Sequence, residues 1–409
     1  MTPGVAEFLL GINYFPRRKG IKLWQTFDRG EVRDELAQIA SWGVDAVRVF
    51  LTWQDFQPGE MHINHRALDD LGTLLALAGD QRLRVLPTLF SGPLDGAFFF
   101  PDWCLDPQPL RPSVRIISNG REVRHGVLRP IFTDNRWLRA QKHLLDELVG
   151  FFGNHPAVWG WDLGAWAEQL PMDLSRTAWE EWVGQMGERI GELSPGRVRT
   201  WGLGQRVVTR RFPVGLTALA ALLDQVAISV FTFTDPRDPL DLLPARFACD
   251  LLRTLGVRAP LIHALGLPTV AAGAPGEVRP DRVWRAPRWI YVASEEEQRA
   301  YVAEALRLAF EQGAAGVFLW CYADYSADLH AEPPYDLALW ARTCGLLRAD
   351  GSEKLVLRAL AEFVGQRANQ ELGQPGARGR VLDLDAERYA RDPKIEFARL
   401  LQKYRAGEL

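Results

Sequence analysis

Hydrolytic acid–base chemistry needs paired ionisable side chains, and carboxylates that follow short apolar runs are the places to look for them. Three stand out in this chain: Glu168 in GWDLGAWAEQL, Asp235 in VFTFTD and Asp324 in GVFLWCYAD. Asp55, Glu60 and Asp95 are further candidates, and Asp162 lies inside the run before Glu168. Glu168 as acid with Asp324 or Asp235 as water-activating base would make an inverting pair, which requires the carboxyls about 6.5–9.5 Å apart. The plainer reading makes Glu168 a solvated loop residue and gives Asp162 a structural hydrogen-bonding role. Arg48, inside the apolar run DAVRVFL, needs a partner because a buried unpaired charge is costly. Asp162, Asp324 or a bound ligand could supply it.

Other chemistries find less support. Cys104, Cys249, Cys321 and Cys344 are scattered without metal-ligand spacing and read as free thiols of a reducing cytoplasm. There is no Gly-rich phosphate loop and no His/Cys/Asp cluster at ligand spacing, so no metal or nucleotide cofactor is expected. The formal net charge is −3 and both signs are mixed along the chain, which argues against nucleic acid and membrane surfaces as partners. No apolar run has the length to span a bilayer, and the start MTPGVAEFLLGINYFP lacks the features of a signal peptide.

The elements that must position these residues alternate between short apolar runs and longer helical patterns, as in repeated βαβ units. Strands are expected at 8–14, 45–51, 82–90, 157–163, 197–203, 226–233, 259–264 and 315–321. Helices are expected near 30–42, 65–79, 136–152, 175–193, 216–224, 240–255, 295–312 and 352–364, the seventh starting at Ser294 as N-cap. Eight strand–helix pairs make an α/β chain of the (β/α)8 TIM-barrel type over residues 1–365. A C-terminal extension, 366–409, ends in an amphipathic helix. Loops at 91–135, 265–294 and 322–351 are long, and in such a barrel they lie on the C-terminal face, where active sites are built.

Six motifs, in order, resemble the clan A glycoside hydrolases, the cellulase, β-mannanase and β-galactosidase superfamily: GINYFP, VRVFLTWQDFQPGE, VWGWDLG, AISVFTF, PLIHALGLPT and GVFLWCYADY. The resemblance covers residues 8–364. It implies a retaining mechanism with a glutamate acid/base after the fourth strand and a glutamate nucleophile at the end of the seventh. On this sequence the asparagine and acid/base positions fall on Ala165 and Trp166, the nucleophile on Ala264, and two supporting sixth-strand positions on Phe231 and Phe233. Arg48 and Trp320 match the family pattern. From Arg258 to Pro275 there is no Asp or Glu. His263, by strand alternation, should point to the helices as a core histidine if Ala264 faces the mouth.

Fifteen tryptophans and twenty phenylalanines exceed what a core alone suggests, and Trp24, Trp53, Trp103, Trp166, Trp284, Trp289, Tyr322, Tyr325 and Tyr335 fall in or beside the C-terminal-face loops. Phe98–Phe100 read as a local cover over the mouth, whereas Trp53, Trp320 and Tyr322 suit contact with a saccharide. Arg48, Trp53, Trp166, Trp320, Tyr322 and Tyr325 are thus the expected binding set. The expectation is a hydrolase-like barrel without hydrolysis, binding a saccharide or a protein partner, such as an active paralogue. The alternatives are a glycosidase with relocated carboxylates and a purely structural barrel with a plugged mouth.

Overall fold

Eight parallel strands close on themselves in the order β1-β8-β7-β6-β5-β4-β3-β2. They are β1 (Leu9–Asn13), β2 (Ala46–Phe50), β3 (Arg84–Thr88), β4 (Gly160–Ala165), β5 (Val198–Leu203), β6 (Gln225–Val230), β7 (Leu261–Leu265) and β8 (Gly316–Leu319). The structure is a computed structural model that describes residues 8–109, 114–123, 125–170, 172, 174–204, 206–209, 215–281, 288–376 and 378–409. Each strand lies within a few residues of its expected place. They are buried on both faces, as parallel strands under a ring of helices must be.

The helices are α1 (Arg29–Ser41), α2 (His65–Asp80), α3 (Asn135–Phe152), α4 (Arg176–Leu193), α5 (Leu216–Leu222), α6 (Leu243–Thr254), α7 (Glu295–Glu311) and α8 (Val356–Ala368). Their starts follow capping chemistry: the side chains of Asp28, Asn64, Asp134 and Ser175 each accept a first-turn N–H. Ser294 and Glu297 form a full capping box at α7. Beyond the barrel, α9 (Ala386–Arg391) and α10 (Pro393–Ala406) follow. The Tyr404 hydroxyl donates to Asp250 at 2.6 Å and Phe397 packs on Phe247, which seats α10 on α6. Among the described residues no helix is long and apolar enough to cross a membrane.

Two of the differences from the expected pattern bear on the site. The stretch 91–135, expected as a loop, carries two small sheets. In one of them the hairpin Pro93–Leu94/Ala97–Phe99 pairs with Ile116–Ser118, which pairs with Arg121–Val123. Apolar runs of two or three residues are too short for a periodicity reading to resolve. The second difference is a bulge in β7: Ile228 pairs with Ile262, but the next pair is Ser229 with Ala264. His263 is the extra residue, so strict alternation fails there and its side chain turns into the barrel rather than toward the helices. The expected orientation of His263 is corrected accordingly.

Candidate functional site

The C-terminal end of the barrel holds two layers of side chains. The lower one is polar and fully buried, built on Arg48 of β2 and Asp162 of β4. Arg48 donates through Nε at 3.0 Å and Nη2 at 2.5 Å to Asp162 Oδ2. The same carboxylate accepts from Thr88 Oγ1 at 3.0 Å and from the backbone N–H groups of Gly164 and Gly202 at 3.2 and 3.1 Å. Burial pushes the Asp162 carboxyl up from its ordinary value, and the Arg48 guanidinium pulls it back. Arg48 Nη1 also donates to Asn13 Oδ1 at 3.2 Å and faces His263 Nδ1 at 2.9 Å. Since an arginine only donates, Nδ1 is the acceptor, and Nε2–H donates to the Leu203 carbonyl at 2.9 Å. Burial, then the neighbouring Arg48 charge, hold His263 well below its usual pKa, hence neutral. The partner Arg48 requires is therefore Asp162, on the neighbouring wall of the same barrel.

Above this lies an aromatic layer. Phe15, Phe50, Trp166 and Phe231 form a near-parallel series, with successive centroids 4.9, 6.4 and 6.3 Å apart and interplanar angles of 11°, 6° and 23°. Trp320 meets all four edge-on, with centroids 5.4, 5.7, 5.4 and 6.1 Å away. Edge-to-face contacts of this kind add about 0.5–1.5 kcal/mol each beyond area burial. The Arg48 guanidinium carbon sits 4.5 Å over the Phe50 ring and so joins the layers.

Trp166 occupies the centre. It has φ +55, an outlier for a bulky residue, is 6% exposed and donates its indole N–H to Ser229 Oγ at 3.1 Å. Its ring lies 5.2 Å from His263. Ala165 and Ala264 are fully buried in the same cluster.

The remaining expected residues are dispersed. Glu168 Oε1 accepts from the Gly204 N–H at 2.9 Å. Asp324 is neutralised by Lys354 at 2.7 Å and accepts from the Gly345 N–H at 2.8 Å. Burial pushes its carboxyl up, and Lys354 opposes that shift. Asp235, half exposed, pairs with Arg237 at 2.6 Å, and this holds its carboxyl below the usual range. Each of the three thus has a different partner on a different loop.

Trp53 is buried against Phe90 and Trp103 and donates to Gln57 Oε1 at 2.7 Å. Tyr322 turns outward, packs near Tyr14 and Trp42, and donates to Gln38 Oε1 at 2.7 Å. It lines a side groove of about 640 Å³ with Arg17, Glu35 and Gln38. Tyr325 packs at a tilt against Tyr335, with centroids 4.4 Å apart and planes at 46°. Trp284 lies outside the described residues, and Trp289 is 61% exposed on the hairpin Glu277–Asp281/Arg288–Val292.

Three participants escape a sequence reading. Phe15 and Phe50 look like ordinary strand-end apolar residues. Trp340, half-buried, meets Phe231 at 5.6 Å and Phe233 at 5.3 Å and makes an aromatic rim. Its sequence context, LALWART, carries no motif.

No protein-family model matches the chain, and no curated protein matches it. Solved structures do. A GH5_18 protein from Streptomyces cattleya in complex with GlcNAc superposes with a TM-score of 0.78 at 21% identity, covering 99% of this chain and 92% of that one. A variant of it in complex with Manβ1-4GlcNAc gives 0.75 at 22% identity, over 98% and 92% of the two chains. An exo-β-1,4-mannosidase from Opitutaceae bacterium strain TAV5 gives 0.70 at 22% identity, over 91% of this chain and 61% of that one. The likeness at these identities establishes the architecture alone: this chain has a closed (β/α)8 barrel like that of these neighbours.

Proposed function

We propose that this chain is a non-hydrolytic barrel of the clan A glycoside hydrolase superfamily that binds a saccharide at the rim of its C-terminal face. The carrying observation is Trp166. Its indole belongs to the residue that the sequence resemblance assigns to the acid position, and it is packed between Phe50 and Phe231 and capped by Trp320. The nucleophile position is the buried methyl of Ala264. A two-carboxylate displacement needs both groups free and facing one bond. Asp324 is tied to Lys354 and Asp235 to Arg237, so neither is free to serve as base to Glu168.

The half-buried rings of Phe231 and Trp340 give the rim an apolar surface suited to the C–H face of a sugar. GlcNAc and Manβ1-4GlcNAc, the ligands of the structural neighbours, are the first to try. Titration calorimetry should show heat of binding that Trp340→Ala weakens at least about tenfold, with no product formed. Absence of heat for a panel of mono- and oligosaccharides would instead favour the plugged, purely interacting barrel, a reading supported by the burial of Phe15, Phe50, Trp166 and Trp320.

A further inference from the structure

The hairpin Pro93–Leu94/Ala97–Phe99 covers the aromatic layer: Leu94, Ala97 and Phe99 belong to the same buried cluster as Phe15, Trp166 and Trp320. Its two-residue tip is Asp95–Gly96, with φ +49 and +84, both left-handed, as a type I′ turn requires. Turn chemistry explains a small polar residue at the first tip position, but Asn meets that need as well as Asp does. It does not explain a charge.

The tip is not in solvent. Asp95 is 6% exposed, and among the described residues neither carboxylate oxygen has a hydrogen-bond partner. Buried carboxylates without a partner are expensive, and in native structures such groups call for an explanation. Two other buried carboxylates at this end of the barrel are compensated, Asp162 by Arg48 and Asp324 by Lys354. Across from Asp95 stand the loop residues Cys321, Tyr325, Tyr335 and Cys344, all of which its charge reaches. Each of these is a neutral group that burial keeps protonated. Lys354, whose charge also reaches Cys321 and Cys344, is spent on Asp324, Thr269 and the Thr343 carbonyl.

What holds the cover down is a clamp beside it. Arg115, 3% exposed, makes a bidentate pair with Asp336 of the loop after β8, at 2.7 and 2.8 Å. It also donates to Glu122 at 3.0 Å, while its own carbonyl accepts the Phe98 N–H at 2.9 Å. A strong, planar, charge-assisted contact therefore fixes the cover to the far side of the mouth.

We propose that this hairpin is a pH-gated cover over the aromatic mouth, closed by the Arg115–Asp336 clamp and released by ionisation of Asp95 at its buried tip. Burial alone pushes the Asp95 carboxyl up to about 7, from an ordinary value of 3.8. When the cover lifts, the carboxylate returns to water and its ordinary pKa. Closed and open forms thus differ little below about pH 4, where the group is protonated in both. Between about pH 4 and 7 opening grows with pH, because only the open form holds the ionised group cheaply, and above about 7 the bias is constant. As regulation of access to the mouth, the device rests on the saccharide-binding reading, but its operation does not require a sugar.

Hydrogen exchange measured without ligand tests it. After correction for intrinsic rates, exchange at the Phe98 and Phe100 amides should rise at least about tenfold between pH 5 and pH 8 in the wild type. In Asp95→Asn, which keeps the turn without the charge, the rise should vanish; Asp95→Gly serves equally if the first variant folds poorly. Arg115→Lys, which loses the bidentate fork, should raise exchange at both pH values while keeping their ratio. An identical pH response in wild type and in the Asp95 variants overturns the proposal. Opening that follows Asp95 in a protein that binds no saccharide would leave the gate standing and remove the binding function instead.

Discussion

Asp162 and Trp166 stand at the same end of β4, yet the two layers they anchor are stabilised in opposite ways. Around Asp162 the stabilisation is electrostatic: an ion pair, a neutral histidine and backbone donors account for one another. Around Trp166 it is almost entirely apolar, with rings packed against one another. The lower layer is a closed polar network, while the upper layer packs as a core. A buried arginine at a strand end is thus satisfied by an acid two strands away within the same barrel.

The comparison breaks most visibly at Arg48. Arg48→Met leaves Asp162 buried without a cation and should cost about 4 kcal/mol in urea unfolding. A loss under about 1 kcal/mol would mean that the polar layer is not held by that pair. Trp166→Ala should cost about 3 kcal/mol by opening a void between Phe50 and Phe231 and orphaning Ser229. A near-neutral result would show that the aromatic layer is loosely filled.

The cover provides a smaller, pH-dependent contrast. With its folded pKa raised to about 7 from 3.8, Asp95 imposes a penalty that starts near pH 4, grows to about pH 7 and stays constant above. Asp95→Asn should therefore stabilise the protein by about 1–2 kcal/mol at pH 8, less than the full shift implies because the hairpin can open locally first, and leave it unchanged below pH 4. Asp235→Asn, at a half-exposed pair with Arg237, should change stability by no more than about 0.5 kcal/mol and leave the mouth untouched.

The lower layer was the more legible in sequence. Alternation and length placed eight strands, and a cation inside an apolar run forced the question of its partner, with Asp162 among the answers. His263 defeated the same logic because a bulge inserts one residue, and nothing in LIHALG announces it. Ala165, Trp166 and Ala264 were legible as residues near strand ends, but their packing into one cluster was not. That the rings of Phe15, Phe50, Phe231 and Trp320 close around Trp166 depends on four separate strand ends meeting. Tyr322 shows the converse: its place in an aromatic-rich loop suggests a ligand contact, whereas the chain directs it outward to Gln38. Asp95 stood in sequence only as one further candidate carboxylate, and only the fold shows that the LDGA turn carrying it is buried.

The measurement that bears most directly on the central claim is long incubation of concentrated protein with Manβ1-4GlcNAc and a panel of aryl β-glycosides, with products followed by mass spectrometry. An aromatic mouth without a free carboxylate pair predicts no cleavage above the uncatalysed background, with Glu168→Gln and Asp324→Asn indistinguishable from wild type. Turnover by the wild type that disappears in Glu168→Gln would contradict the account and restore a working active site to this barrel.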